Sequence, residues 1–438
     1  MQGSHRHLFR LTWLLFYWIL IPALSWSQIP SPQSRIVQRV DESALVTLRG
    51  NTHPLAQPQF DRGAAPPDLP MARMLLLLQR SAAQESALQV LMDNQQDRNS
   101  PNYHQWLTPD AFGQQFGPSD QDIQTITAWL ASHGFQVAPA GRGRTAIEFS
   151  GTALQVLQAF HTEIHKYAVN GQEHWANATD PQLPAALAPV VSGVVALHNF
   201  PKQPMHRVAG VFSKSNATGQ VRVLTPDFTL PNPNQCGISG YCYFVGPYDF
   251  AKIYNVQDLW NESPAIDGTG QSIAIVGVSN INIQDVRDFR NLFGLPANDP
   301  QVILNGPGPG LVTNVETEAD LDVEWSGAVA PGATIKLVVT APTNTGDGVD
   351  LSALYVVDND LAPVLSESFG QCELYLGNSG NSFESAIREQ AAAEGITSLL
   401  LRAIRDPRCA TRIRAPRRRR QRPALRSADW PRRLMASR

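Results

Sequence analysis

The stretch Ser272-Ile-Ala-Ile-Val-Gly-Val278 is apolar almost throughout. A strand with one wet face alternates apolar and polar residues, so a run like this one has to be covered on both sides. Working outward, Asp285–Phe293 has helical spacing, Glu316–Glu324 is a dense acidic helix, and Phe383–Glu394 is a further helix. Ile335–Thr340 and Val364–Ser368 are two more strands of the same apolar kind. Strands of this type alternating with helices predict an α/β domain with a mostly parallel sheet over residues 247–400. The glycines of Asp267-Gly-Thr-Gly270 precede the first strand, whereas a dinucleotide fingerprint needs them after it. They predict a turn.

Upstream lies a different pattern. Met74–Leu78 predicts a buried strand, Glu85–Gln95 and Asp122–Leu130 predict helices, and Ser119 is placed to N-cap the second of these. Short strands at Phe135–Val137 and Thr145–Phe149, a helix over Ala153–Phe160 and a strand over Glu163–Val169 complete an α+β domain of residues 71–200. Residues 28–70, rich in Pro and Gln, predict a loosely ordered lead-in, and residues 201–246, rich in Pro, Ser, Gly and Asn, a protease-accessible linker. At the N-terminus His5, Arg6, His7 and Arg10 precede the apolar run Leu11–Leu24 and the small residues Ser25 and Ser27, so residues 1–27 predict a secretory signal peptide. A signal anchor is the competing reading; no other stretch could cross a membrane. Export permits disulfides. Cys236 and Cys242 enclose a short loop that a local bridge could close, while for Cys372 and Cys409 free thiols and bridges both fit.

With 438 residues and 43% apolar composition, the chain can bury more than one core and is not a disordered protein. Its net charge of −3 hides an asymmetry. Residues 401–438 hold fourteen arginines, no lysine and two aspartates, a surplus of twelve positive charges that leaves about −15 on residues 1–400.

All ten histidines fall between His5 and His206, and from Tyr248 onward there are none. That excludes an imidazole base or imidazole zinc ligands in the α/β domain, so hydrolytic chemistry there must run on carboxylates. Glu318 and Asp322, spaced i,i+4, share one helical face and are close enough to share a proton. A solvated acidic face is the plainer alternative. Leu321, Trp325 and Ala328 read as the helix's buried stripe, beside the carboxylates.

Several longer motifs carry a resemblance. In the first domain they are Tyr103-His-Gln-Trp106-Leu-Thr-Pro109, Phe112-Gly-Gln-Gln-Phe116-Gly-Pro118 and Phe149-Ser-Gly151-Thr152. In the second they are Tyr248-Asp-Phe-Ala-Lys-Ile-Tyr254-Asn255-Val256, Gly268-Thr-Gly-Gln-Ser-Ile-Ala-Ile-Val276, Glu318-Ala-Asp-Leu-Asp322-Val-Glu324 and Ala330-Pro-Gly-Ala333. Over about residues 45–400 the chain resembles the sedolisin, or serine-carboxyl, peptidases, as a pro-kumamolisin-like precursor with its activation domain. The resemblance implies a ferredoxin-like (α+β) propeptide that helps the enzyme fold and blocks its cleft, followed by a subtilisin-like α/β domain. It implies that Glu318 is the general base and Asp322 the residue that orients it, in an enzyme working at acid pH, where a carboxylate base stays ionised and imidazole does not. Ser279-Asn280 stands where subtilisin proper has a catalytic Asp, which again favours the sedolisin pattern.

The family chemistry also requires an oxyanion Asp in a Gly-Asp-Ser-Gly turn and a nucleophilic Ser in a Gly-Thr-Ser motif near a C-terminal calcium site. Neither motif occurs here. After Gly395-Ile-Thr397 the chain becomes arginine-rich, and codon degeneracy over Ser398–Arg408 permits a shifted reading Pro-Ala-Ser-Ala-Gly-Asp-Ser-Gly-Ser-Ala. The α/β domain is therefore expected to be partial and the tail 401–438 aberrant, the product of a frameshift near Ser398 rather than a basic arm for nucleic acid. The resulting expectation is a secreted, acid-acting serine-type endopeptidase precursor, inactive in this form. Its partners would be polypeptide substrates and its own propeptide, with no nucleic acid, no stable membrane anchor and no calcium bound by this chain. The alternative is a non-catalytic pro-domain protein that binds and inhibits a related protease.

Overall fold

The computed structural model describes residues 32–204, 212–214, 221–223, 245–313 and 315–400. The first domain runs through β1 (Leu45–Thr47), β2 (Asp61–Ala64), β3 (Pro70–Leu78), α1 (Ala82–Gln96), α2 (Pro109–Phe116), α3 (Asp120–Ser132), β4 (Gln136–Val137), β5 (Ala146–Thr152), α4 (Ala153–Phe160), β6 (Ile164–Val169), β7 (Gln172–Asn177), β8 (Gln182–Pro184) and β9 (Val191–Val194). Polar residues fix the helix starts: Ser119 Oγ accepts the Asp122 N–H, as the sequence predicts, and Ser81 and Thr152 form capping boxes with Gln84 and Gln155 that the sequence reading did not include. Its main sheet is antiparallel in the order β4-β5-β3-β9, beside a three-stranded sheet β2-β6-β7 and the pair β1-β8.

Strand β3 explains why its sequence is apolar without alternation. Met74, Leu76 and Leu78 turn into the first domain's core with Ile126, Leu130, Phe149 and Phe160. Leu75 and Leu77 turn the other way and, with Ala146 and Val195, join a core made mostly by the second domain.

The lead-in differs from expectation. Ile36 is buried in the first core, and the buried Asp122 carboxylate accepts the Ser34 hydroxyl at 2.8 Å and the N–H groups of Arg35 and Ile36 at 3.0 and 2.9 Å. Residues 45–47 and 61–64 are strands. A Pro- and Gln-rich composition hid these because the pairing partners of β1 and β2 lie more than a hundred residues downstream.

Between the domains stand β10 (Gln203–Pro204), β11 (Phe212–Lys214) and β12 (Val221–Val223), the last two paired antiparallel. The second domain comprises α5 (Pro247–Ile253), α6 (Gln257–Trp260), β13 (Ser272–Gly277), α7 (Ile283–Phe293), β14 (Gln301–Leu304), α8 (Glu316–Val329), β15 (Thr334–Val339), α9 (Gly348–Asp358), β16 (Val364–Glu367), β17 (Phe369–Gly370), α10 (Glu373–Ala393) and β18 (Thr397–Leu400). The five strands β14-β15-β13-β16-β18 form a parallel sheet with β13 at its centre. Alternate residues of β13 serve its two faces. Ile275 packs with Val286 of α7 and with Ala319 and Val323 of α8, whereas Ala274 and Val276 pack with Val356 of α9 and Phe383 and Ile387 of α10. Full burial of an aliphatic or aromatic side chain of this size contributes about 1.5–3 kcal/mol, which makes this doubly covered strand the anchor of the domain.

Two glycines are required by conformation. Gly268 (φ +89°) sits in the turn before β13, packed so closely on Ala330 and Ala333 that a Cβ would meet their methyl groups at about 3 Å. Gly377 (φ +66°) makes a kink within α10, where a Cβ would stand 2.8 Å from the Gly50 carbonyl of the first domain.

The domains meet over polar contacts as well as the shared core. Arg73, paired with Glu148, donates to Thr340 Oγ1 at 3.0 Å; Thr145 donates to Gln390 at 2.7 Å; Gln95 donates to the Ala393 carbonyl at 3.0 Å; and Arg80 bridges Glu85 and Glu389. Cys372 is disulfide-bonded, which removes the free-thiol reading for it. The predicted signal peptide, Cys236, Cys242, Cys409 and the tail 401–438 lie outside the described residues. Among the described residues no helix is long and apolar enough to cross a membrane.

Candidate active site

Helix α8 starts without a side-chain cap, but Glu316 and Glu318 in its first turn face the positive end of the helix dipole. Its buried stripe is Ala319, Val323 and Gly327, with Ala328 beside it. This corrects the sequence reading: of Leu321, Trp325 and Ala328 only Ala328 is buried, and Leu321 is 38% exposed. Close approach to the sheet and to α7 selects small residues over large ones. At Gly327 the Arg290 guanidinium donates to the carbonyl at 3.0 Å and stands 3.1 Å from where a Cβ would be.

Glu318 adjoins this stripe and is 1% exposed. A solvated acidic face therefore does not describe it. One turn on, Asp322 is half-buried, and its Oδ1 accepts the Ser368 hydroxyl at 2.8 Å. Ser368 is itself buried and sits between β16 and β17, at the C-terminal end of a central strand of the parallel sheet. That edge is where open α/β sheets place their ligands. The structure thus sets Glu318 and Asp322 on one helix and ties Asp322 to the strand end. The sequence reading included Ser368 as the end of a strand but gave it no part in the site.

A second acidic row runs along α8, again at i,i+4 spacing: Glu316, Asp320 and Glu324. Burial, reinforced by Glu316 and Asp285, pushes Asp320 up to about 6. Burial, then Asp320 and Asp285, pushes Glu324 up to about 8. The spacing rule that picked out Glu318 and Asp322 applies equally to this row, whose facing charge on α7, Asp285, is not a sequence neighbour. Asp285, Glu316 and Asp320 offer carboxylate oxygens within 4.8 Å of one another and are, among the described residues, the group suited to a hard cation.

The chain leaving the first domain passes this edge. Gln203 and Pro204 pair antiparallel with Gly370 and Phe369, immediately after Ser368. A peptide laid on β17 in this way lies next to the Ser368 hydroxyl that Asp322 holds, on a sheet edge that supplies main-chain hydrogen bonds. Such an arrangement can position a peptide group and accept a proton from a hydroxyl nucleophile delivered to it.

Residues 60–200 match the family described as the pro-kumamolisin activation domain. Xanthomonalisin from Xanthomonas sp. (strain T-22) is 26% identical over 390 residues, covering 84% of this chain and 44% of that protein. Sedolisin from Pseudomonas sp. (strain 101) is 26% identical over 322 residues, covering 72% of this chain and 51% of that protein. The chain thus spans about half the length of the curated relatives it matches. The solved structure of Pseudomonas sedolisin (serine-carboxyl proteinase) complexed with two molecules of pseudo-iodotyrostatin shares 22% identity and a TM-score of 0.30 over 36% of this chain and 43% of that one, a likeness too partial to place any residue.

Proposed function

We propose, from the premise that the chain belongs to the sedolisin family as a pro-kumamolisin-like protein, that it is the front part of a secreted, acid-acting serine-type endopeptidase precursor. Glu318 acts as general base and Asp322 orients it, on polypeptide substrates. The observation that carries the reading is the buried Glu318 one turn from an Asp322 held by Ser368, at the strand end along which the activation domain's own tail lies. An ordinary carboxylate base stays ionised at acid pH, where an imidazole is already protonated. The strand order β4-β5-β3-β9, with helices between β3 and β4 and between β5 and β9, supports a ferredoxin-like activation domain. The parallel sheet with helices on both faces supports a subtilisin-like second domain.

In the reaction a serine hydroxyl attacks the peptide carbonyl, Glu318 takes its proton, and oxyanion donors hold the developing charge. The Gly-Asp-Ser-Gly and Gly-Thr-Ser motifs that would supply the donor and the nucleophile are absent from these 438 residues, so this chain by itself is inactive on this reading. Restoring the reading frame at Ser398 is the direct test. The restored enzyme should hydrolyse casein at acid pH, and Glu318→Gln should lower kcat by orders of magnitude with folding intact. Near-normal turnover of that variant would remove Glu318 from the mechanism.

A further inference from the structure

Lys202, the residue before β10, carries the first domain's tail into the second domain, and its side chain is 4% exposed. Its ammonium stands 2.5 Å from Asp350 Oδ1 on α9, 3.1 Å from Glu367 Oε1 at the end of β16 and 2.5 Å from Glu384 Oε1 on α10. The Lys202 N–H donates to Asp347 Oδ2 at 2.9 Å. Arg388 closes the far side, donating to Glu367 and, at 3.0 Å, to Glu384. Burial works against the Lys202 charge, but Asp350, Glu367 and Glu384 outweigh it and hold its pKa well above the ordinary lysine value. The cavity's walls include Val278 and Leu376, apolar surface suited to the methylenes of a long side chain.

The acidic groups all belong to the second domain, and the cation that fits them belongs to a segment lying as an added strand. If that segment leaves, three carboxylates face one guanidinium in a buried site, and uncompensated buried charge of this kind demands another cation. In strand addition, main-chain bonds supply general affinity and side-chain pockets supply selectivity. We propose that Asp350, Glu367 and Glu384 form a subsite for a lysine or arginine side chain of a peptide laid along Phe369–Gly370, the place Lys202 fills in this structure. The proposal rests on the peptidase reading above, and it adds a preference for cationic residues beside the catalytic carboxylates.

The test uses the full chain with Lys202→Ala, titrated at neutral pH with the peptide Phe-Pro-Lys-Gln-Pro and with its norleucine analogue. The lysine peptide should raise Tm saturably and bind at least about ten-fold more tightly than the analogue, a discrimination in line with a charge-assisted contact. The wild-type chain, its pocket filled, should respond to neither. Equal binding of the two peptides, or stabilisation by calcium chloride but not by the lysine peptide, would overturn the subsite. Should Lys202→Ala not fold alone, refolding with the lysine peptide and not with the analogue is the same readout, and failure with both overturns it. Failure of the peptidase reading looks different: no cleavage by the frame-restored enzyme, with peptide discrimination intact.

Discussion

The two domains differ in whose residues close their cores. The first domain's main cluster, from Ile36 to Leu197, is its own, and so is the smaller cluster around Tyr167, Val169 and Phe200. The cluster on the α9 and α10 side of the parallel sheet is not self-sufficient, because it takes in Leu75, Leu77, Ala146 and Val195 from the first domain. The first domain thus closes its two sheet-side cores by itself, takes only Ala393 from α10 into a third cluster of Leu88, Phe112 and Phe116, and also presents an apolar face. The second uses that face as part of its interior, so that its core closes only with the first domain in place.

Separating the domains should produce the largest effect. Residues 32–204 expressed alone should give a cooperative thermal transition by circular dichroism, and residues 245–400 alone should give none. A cooperative melt of the second fragment would break the comparison.

Strand β3 sharpens it at single-residue scale. Leu76→Ala should destabilise both the isolated first domain and the full chain by about 2–5 kcal/mol in denaturant titrations. Leu77→Ala should cost the full chain a similar amount yet leave the isolated first domain within about 1 kcal/mol, since Leu77 faces outward there. Equal effects of Leu77→Ala on both proteins would mean the face is not shared.

The smallest effect is one of pH, and the domains should respond with opposite sign. In the first, burial of Asp122 is outweighed by the Ile36 N–H, the Ser34 hydroxyl and further donors, so its carboxyl lies below the usual range. Its contribution is present above the unfolded pKa of about 3.9 and is lost as pH falls through the folded value. In the second, Glu324 pushed up to about 8 and Asp320 to about 6 mean that the folded state holds protons the unfolded chain has released. Their effect favours folding increasingly as pH falls from about 8 towards about 4.5. Buried His53 and His198, lowered to about 2 and about 4, work the other way below about 6.5, so the readout is the difference between proteins: the Tm of the wild type relative to Glu324→Gln should rise as pH falls over that interval. A difference that stays flat from pH 8 downwards would contradict the assignment.

What could be read from the sequence follows from how local the cause is. The strand β13, the helix α4 over Ala153–Phe160 and the N-cap at Ser119 rest on periodicity and capping within a few residues, and all three are present. Glu318 and Asp322 were legible as an i,i+4 pair within a motif, but their burial was not, because the sheet and Ser368 decide it. The α8 stripe misled because apolar size is a poor guide where a helix lies close on its neighbours: Ala319 and Gly327 go in and Leu321 stays out. Lys202 gave no signal at all, since its three partners lie 148, 165 and 182 residues away.

The outward face of β3 bears on how long the assembly lasts rather than on how stable it is. A cut in residues 205–244 would sever the backbone link and leave the first domain in place, with Leu75 and Leu77 packed against α9 and α10 and Arg73, Arg80, Gln95 and Thr145 bonded across the boundary. Departure of the first domain would then bare an apolar face that the second domain has no residues of its own to cover, and return would require a bimolecular encounter in competition with aggregation. The lifetime of a nicked molecule is for that reason set by an escape rate, and the few side chains that cross the boundary are the ones that govern it.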